Sequence, residues 1–374
     1  MQPNEPFRAS TGTLDGLARL PMSAPAAIAD CVHTGRVASL EDLNRISGHE
    51  RGDDSFQGGD VGAVVDLQDG RRLMVFGDTL RGEGFAGQQF VRNSMLVLSP
   101  DCIESVLPAD GGAVIPDREG ADEFPVGYWP MSLRRVERPG FDLVTLMAQR
   151  VQTTGSGVWD FHTLGPSVAV FVVERGETPQ LMTVRDLGPD LDDVGSPEWG
   201  AATADDGGWL YLYGTARPDE PGVSGFSLRV ARVRPDHLLD RRRWCYWTGS
   251  RWHEDPSKAT DLITAARGVS QTLSVFKQGP TWYALSKRSD FVGSDLVVWI
   301  ADNPWGPFDD GTTVGQLPSN AVTGELTYMP LAHPELFPEE GTVVVSYSRN
   351  CSDVGAVIAD PYAYRPRFLR IKLP

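Results

Sequence analysis

Asp60 and Asp78 lie in the segments GGDVGAVVDL and RLMVFGDTL, joined through Asp69-Gly70. An Asp-Gly pair between two alternating apolar runs is a strong short-range hairpin signal. Folding back there sets Asp60 opposite residue 78 or 79. Two neighbouring carboxylates are the minimum equipment for acid/base cleavage of a glycosidic bond. Asp is equally at home capping the N–H groups of turns, so the pair gains meaning only from what surrounds it.

Strand-like runs dominate from Asp60 onward, among them VGAVVDL, LMVFGDT, SMLVLS, LVTLMAQRV, SVAVFVVE, WLYLYGT, LVVWIA and TVVVSYS. They are punctuated by Gly, Pro, Asp and Asn, and no long amphipathic helical pattern interrupts them. The chain reads as all-β. Its strand clusters open at Asp60 (GGDVG), Trp129 (YWPMS), Trp199 (EWGAA), Gln271 (VSQTLS) and Tyr328 (TYMPL), at intervals of 69, 70, 72 and 57 residues. Five clusters of three or four strands predict a five-bladed β-propeller over residues 40–374, the first strand of each blade lining a central channel. A two-sheet sandwich accounts less well for five similar units. Closure is expected to pair FLRIKLP with LEDLNRISGHE at residues 40–50, and residues 1–39, rich in Ala, Pro and Ser, to form an outer arm.

In a propeller the opening segments converge on one funnel, where aromatic faces can stack on sugar rings and polar groups can read hydroxyls. That makes Trp129, Trp199, Gln271 and Tyr328 candidate substrate-binding residues around Asp60 and Asp78. Asn93 opens the strand after the hairpin, and Lys287 and Asn350 end second strands as Asp78 does; all three join the candidate site. Charge balance near the acids is an alternative role for Lys287. Trp209, Trp244, Trp247 and Trp282 read as core.

Composition narrows the field further. A net charge of −16, with no basic cluster beyond Arg241-Arg242-Arg243, argues against a nucleic-acid partner. All basic residues other than Lys258, Lys277, Lys287 and Lys372 are Arg, a codon bias rather than a functional signal. Cys31, Cys102, Cys245 and Cys351 are widely spaced, so one or two disulfides are possible and a zinc or redox motif is not supported. His162, His253 and His333 read as hydrogen-bonding residues; no metal or cofactor is expected. No run reaches the roughly 18 apolar residues of a membrane span, and MQPNEPFRAS does not read as an export leader. GxSxG, Walker, HExxH and GxGxxG signals are lacking, as are the repeated boxes of sialidases.

The motifs GGDVG with DGRRLMVFGDT, YWPMS, WGAA with GGWLYLYGT, RVARV with RWCYWTGSRW, and VSYSRN together resemble the proteins known as domain of unknown function 4185, placed in glycoside hydrolase family 183. The resemblance runs from about residue 40 to the C-terminus. It implies a five-bladed propeller and exported enzymes that cleave α-D-arabinofuranosidic bonds internally in the arabinan of mycobacterial arabinogalactan and lipoarabinomannan. It also implies an inverting mechanism whose two Asp fall on Asp60 and Asp78. Gly59 stands where that family more often has Thr.

The expected assignment makes Asp60 the base and Asp78 the acid, its pKa raised by burial or by its charged neighbour. A retaining furanosidase would instead use an Asp nucleophile with Glu198 or Glu325 as the acid. A non-catalytic glycan-binding propeller is the reading from another class. Oligomeric state and cleavage pattern are not legible.

Overall fold

The computed structural model describes residues 13–17, 26–28, 31–49, 54–120, 124–155, 157 and 160–374. Antiparallel pairing organises their strands into five sheets in chain order. The first sheet takes β1 (Ala27–Ile28), β2 (Val32–His33), β3 (Gly58–Asp66), β4 (Arg72–Leu80), β5 (Phe90–Val91), β6 (Ser94–Ser99) and β7 (Cys102–Leu107). The second is β8 (Val126–Arg138), β9 (Phe141–Thr153), β10 (Phe161–Glu174) and β11 (Gln180–Asp186). The third is β12 (Glu198–Asp206), β13 (Trp209–Ala216), β14 (Ser227–Val233), β15 (Cys245–Trp247) and β16 (Trp252–His253). The fourth is β17 (Ser274–Gln278), β18 (Thr281–Lys287), β19 (Asp295–Ala301) and β20 (Thr312–Gln316), and the fifth β21 (Glu325–His333), β22 (Thr342–Cys351) and β23 (Arg367–Lys372).

The first strands adjoin one another in sequence, β3 beside β8, β8 beside β12, β12 beside β17, and β21 beside both β17 and β3. This is the expected all-β propeller. The blades are less uniform than expected: four sheets carry four or more strands and count as full blades, against the five expected, while β21–β23 form a sheet of three. The physical reason lies in residues 40–49, which are a helix and not the closing strand. Ser39 caps its start by accepting from Asp42 N–H at 3.1 Å, and Asp42 accepts in return from Ala38 N–H at 2.9 Å. The helix lies along β23, where the Asn44 amide donates to Phe368 C=O at 2.7 Å and accepts from Phe368 N–H at 2.9 Å. A side-chain amide thus takes the place of a fourth strand's backbone at an edge that would otherwise be open.

Alternation along the strands builds the core between sheets, dominated by Val, Leu and fully buried rings such as Trp199, Trp244, Trp282 and Trp299. Trp209 and Trp247 are partly buried and pack against the same cluster. On the outer edge of the first sheet, β1 and β2 pair with β7, and a Cys31–Cys102 disulfide fixes that part of the expected arm. Cys245 and Cys351 are free thiols.

One local device recurs in the inner strands. Register shifts interrupt β3 at Gly59/Val61 and Val61/Ala63, β8 at Pro130/Ser132, β12 at Trp199/Ala202 and β21 at Tyr328/Leu331. In each case a bulge falls at or just after the residue that opened the sequence cluster. An extra residue unpairs the ladder locally and re-aims the neighbouring side chain. Val61 (φ 69°) and Met329 (φ 44°) hold left-handed backbone without being glycine, a strained state that costs on the order of 1–3 kcal/mol each.

Candidate active site

The hairpin closes at Asp69-Gly70, where Leu67 N–H donates to Arg71 C=O at 2.8 Å and Gly70 takes φ 87°. Gly59 pairs with Thr79 and Val61 with Phe76, so Asp60 faces the Gly77-Asp78 pair across a bulge. Both carboxylates open into one cavity of about 400 Å³, whose lining also includes Trp129, Phe161, Gln271, Phe291, Tyr328, Asn350 and Tyr364.

The two carboxylates have different surroundings. Asp60 Oδ2 accepts from the Tyr328 hydroxyl at 2.8 Å, and Tyr364 is a second hydrogen-bonding neighbour. Burial, with Asp78 nearby, pushes the Asp60 carboxyl up to about 7 despite those two donors. Asp78 faces a cation: Arg92 Nη1 lies 3.2 Å from each of its oxygens, and the Trp129 indole N–H donates to Oδ1 at 2.6 Å. Burial raises the Asp78 carboxyl as well, but Arg92 and Trp129 pull it back down. Arg92 is itself anchored, its other nitrogen donating to Thr153 Oγ1 at 2.7 Å. The cation and the indole donor thus sit against Asp78, whereas the side-chain donors to Asp60 are tyrosine hydroxyls.

Aromatic rings form the walls. Trp129 meets Phe161 edge-on at 4.8 Å, and Phe291 stacks on Tyr328 at 4.7 Å. Gln271 donates its amide N–H to Gln149 Oε1 at 2.8 Å, linking the fourth sheet's opening to the second sheet, while its C=O accepts from Thr215 at 2.7 Å. Among the described residues no Lys, Arg or His lines the cavity, and no group of three or more His, Cys, Asp or Glu could hold a metal.

Six of the nine candidates therefore converge: Asp60, Asp78, Trp129, Gln271, Tyr328 and Asn350. Three do not. Asn93 is buried and its amide is spent on backbone, donating to Ile115 and Tyr128 C=O at 3.0 Å each and accepting from Ile115 N–H at 2.7 Å. Lys287 is fully buried with Nζ 2.5 Å from Thr327 C=O, and burial pulls its pKa down to about 8. Trp199 is wholly enclosed because its strand partner is Gly214, whose missing side chain leaves room for the indole. The third sheet supplies no residue to the cavity lining.

Glu198 and Glu325 also stand apart from the cavity. Glu198 is buried near Arg150 and pushed up to about 7 by that burial, and Glu325 pairs with Arg349 at 3.0 Å on the surface. His333, His253 and His162 make hydrogen bonds, as expected, to Ser346, Asp255 N–H and Gln152. Sequence reasoning missed Arg92, Tyr364, Gln149, Phe161 and Phe291. Arg92 adjoins the candidate Asn93 in VRNSMLV; Tyr364 sits beyond the short 3-10 turn Pro361–Ala363, outside every strand-like run of the sequence.

Among solved structures, a candidate hydrolase from Bacteroides ovatus matches with a TM-score of 0.67 at 21% identity, covering 88% of this chain and 89% of that one. At that identity it shows a shared fold. A GH43_1 enzyme from Xanthomonas citri complexed with xylotriose (TM-score 0.47, 16% identity, 98% and 93% covered) and the catalytic domain of the Coprinopsis cinerea GH62 α-L-arabinofuranosidase (0.49, 10%, 94% and 98%) are more distant and carry no argument. No curated protein matches. The expected membership in domain of unknown function 4185 and glycoside hydrolase family 183 is overturned by a different family, matched over residues 49–373. The short motifs behind that expectation describe a propeller hairpin more than one lineage, and the chain belongs to the family described as domain of unknown function DUF5005.

Proposed function

We propose that the protein is a glycoside hydrolase acting on a neutral glycan, with Asp60 as general acid and Asp78 as general base. The carrying observation is the pair itself: two carboxylates share one aromatic-walled cavity, one buried beside tyrosine hydroxyls and the other clamped by Arg92 and Trp129. Environments that push two carboxyls apart in proton affinity mark an acid and a base. The roles are the reverse of those expected from sequence, because the guanidinium sits against Asp78 and not Asp60. Among the described residues the cavity is lined by two acids and no cation, which disfavours uronic acids and sulfated sugars.

In the reaction, Asp78 takes a proton from a water whose oxygen bonds to the anomeric carbon. The bond from that carbon to the leaving oxygen breaks as Asp60 delivers its proton there. Both Asp78 oxygens are engaged by donors, which suits holding a water better than swinging onto carbon and favours a single displacement with inversion. ¹H NMR of the first product anomer tests it: the inverted anomer is expected, and a retained one contradicts it.

D-arabinan was expected through the overturned family, so it stands as one member of a panel with α-L-arabinan, xylan, galactan and mannan. Reducing ends released from a neutral member support the assignment; binding without release leaves a glycan-binding propeller. We count β21–β23 as a fifth blade, supported by its first strand's contacts with β17 and β3. The Cys31–Cys102 bond supports an oxidising compartment outside the cytosol.

A further inference from the structure

Tyr328 and Asn350, expected from the sequence to contact sugar, are engaged with Asp60 in a hydrogen-bond chain that has one direction. Cys351 N–H donates to Asn350 Oδ1 at 2.7 Å, which fixes the orientation of the Asn350 amide. The Asn350 Nδ2 group then faces the Tyr328 hydroxyl at 3.3 Å and can only donate. Tyr328 has a single proton. With its oxygen accepting from Asn350, that proton goes to Asp60 Oδ2 at 2.8 Å. The other oxygen, Oδ1, lies over Gly77, the residue before Asp78.

We infer that Tyr328 and Asn350 are positioning residues of the active site, whose one-way chain reserves Oδ2 of Asp60 as an acceptor and places the catalytic proton on Oδ1. This rests on the glycosidase reading above for its consequence in catalysis, though not for its geometry. The backbone supports the assignment: Met329, next to Tyr328, holds a left-handed φ of 44°, and Val61, next to Asp60, a φ of 69° with its N–H donating to Ser348 Oγ at 2.9 Å. Strained residues flank both ends of the Tyr328–Asp60 contact, so the surrounding structure over-determines it. Phe291 stacks on the ring at 4.7 Å and limits its swing.

The titratable groups around Asp60 are Asp78 from β4, Tyr328 from β21, Tyr364 after the 3-10 turn, and the Cys351 thiol on β22 across the cavity, with Arg92 behind Asp78. Both tyrosines have their proton loss pushed well above the ordinary value by burial, so they remain donors at working pH. A donor to the ionised carboxylate favours ionisation; removing one raises the proton affinity of Asp60.

The test is a ¹³C-carboxyl NMR titration of the full chain labelled at aspartate, with the Asp60 signal assigned by its loss in Asp60→Asn. Tyr328→Phe should move the Asp60 midpoint upward by about half a pH unit or more, and Asn350→Leu should move it the same way by less. The alkaline limb of the kcat profile should follow each shift, with kcat lower by about tenfold in Tyr328→Phe and KM nearly constant. An unchanged midpoint with KM rising alone would overturn the inference and return both residues to sugar binding. If the wild type releases no sugar, the glycosidase reading fails while the titration still decides the chain. Should Tyr328→Phe not fold, Asn350→Leu carries the same test.

Discussion

Asp60 Oδ1 lies against the α-carbon of Gly77, so near that a β-carbon at residue 77 would overlap it well inside contact distance. Gly77 is not in the left-handed region, so alanine suits its backbone, and its β-carbon clashes with the carboxylate alone while meeting Val61 at ordinary contact distance. Gly77→Ala is therefore expected to displace Asp60, lowering kcat by about 10²-fold while the melting temperature falls by only a few degrees. Circular dichroism and initial rates on the same preparation check it; full activity would show that the carboxylate is not held where it works.

The raised proton affinity of Asp60 has a signed consequence for both rate and stability. The rate should rise with pH as Asp78 ionises and fall again near pH 7 as Asp60 loses its proton. For stability, the folded value of about 7 stands above the ordinary value of 3.8. The contribution is present in full below pH 4 and lost as pH rises through 7. Asp60→Asn should therefore be strongly impaired in catalysis and yet more stable than wild type at pH 8, by an amount on the order of a few kcal/mol at most, with the gain disappearing at pH 4. Denaturant titrations at the two pH values measure it.

Arg92 and Trp129 act on Asp78, so their loss should appear in the acid limb. Arg92→Met removes the cation 3.2 Å from both oxygens, and the limb should move upward by about a pH unit. Trp129→Phe keeps a ring against Phe161 but deletes the 2.6 Å donor, and a kcat drop of about tenfold is expected. A KM effect alone from both would leave Asp78 without a catalytic role.

Glu198 supplies the contrast. It is buried and, like Asp60, pushed up to about 7, yet it lies outside the cavity, near Arg150. Glu198→Gln should keep kcat within about threefold of wild type, since only contact with the reacting atoms places a group on the reaction path. Loss of all activity in a folded variant would restore the two-carboxyl arrangement with a glutamate acid.

Local chemistry made the hairpin legible in the sequence: an Asp-Gly turn and period-2 alternation act over a few residues, and both carboxylates followed from them. The opening residues of the clusters were legible as a repeat because a bulge sits at or beside four of them. Which way a bulge aims its side chain was not legible. Trp199 turned into the core because Gly214, on the next strand, left space for it, a fact about the partner and not about EWGAA. The helix over residues 40–49 escaped notice because its apolar positions are few; its role comes from Asn44 meeting Phe368 more than 320 residues away. Arg92 was visible only as a neighbour of Asn93; the two lie in the break between β5 and β6, where Arg92 turns to Asp78 and Asn93 to the backbone of Ile115 and Tyr128.

The most direct measurement is release of reducing sugar from the neutral polysaccharide panel by wild type, Asp60→Asn and Asp78→Asn, with binding of the same polymers followed in parallel. Release by wild type, lowered by about 10²- to 10⁴-fold in each variant while binding persists, is the predicted result. Binding by all three proteins with no release by wild type, or release undiminished in either variant, would contradict it.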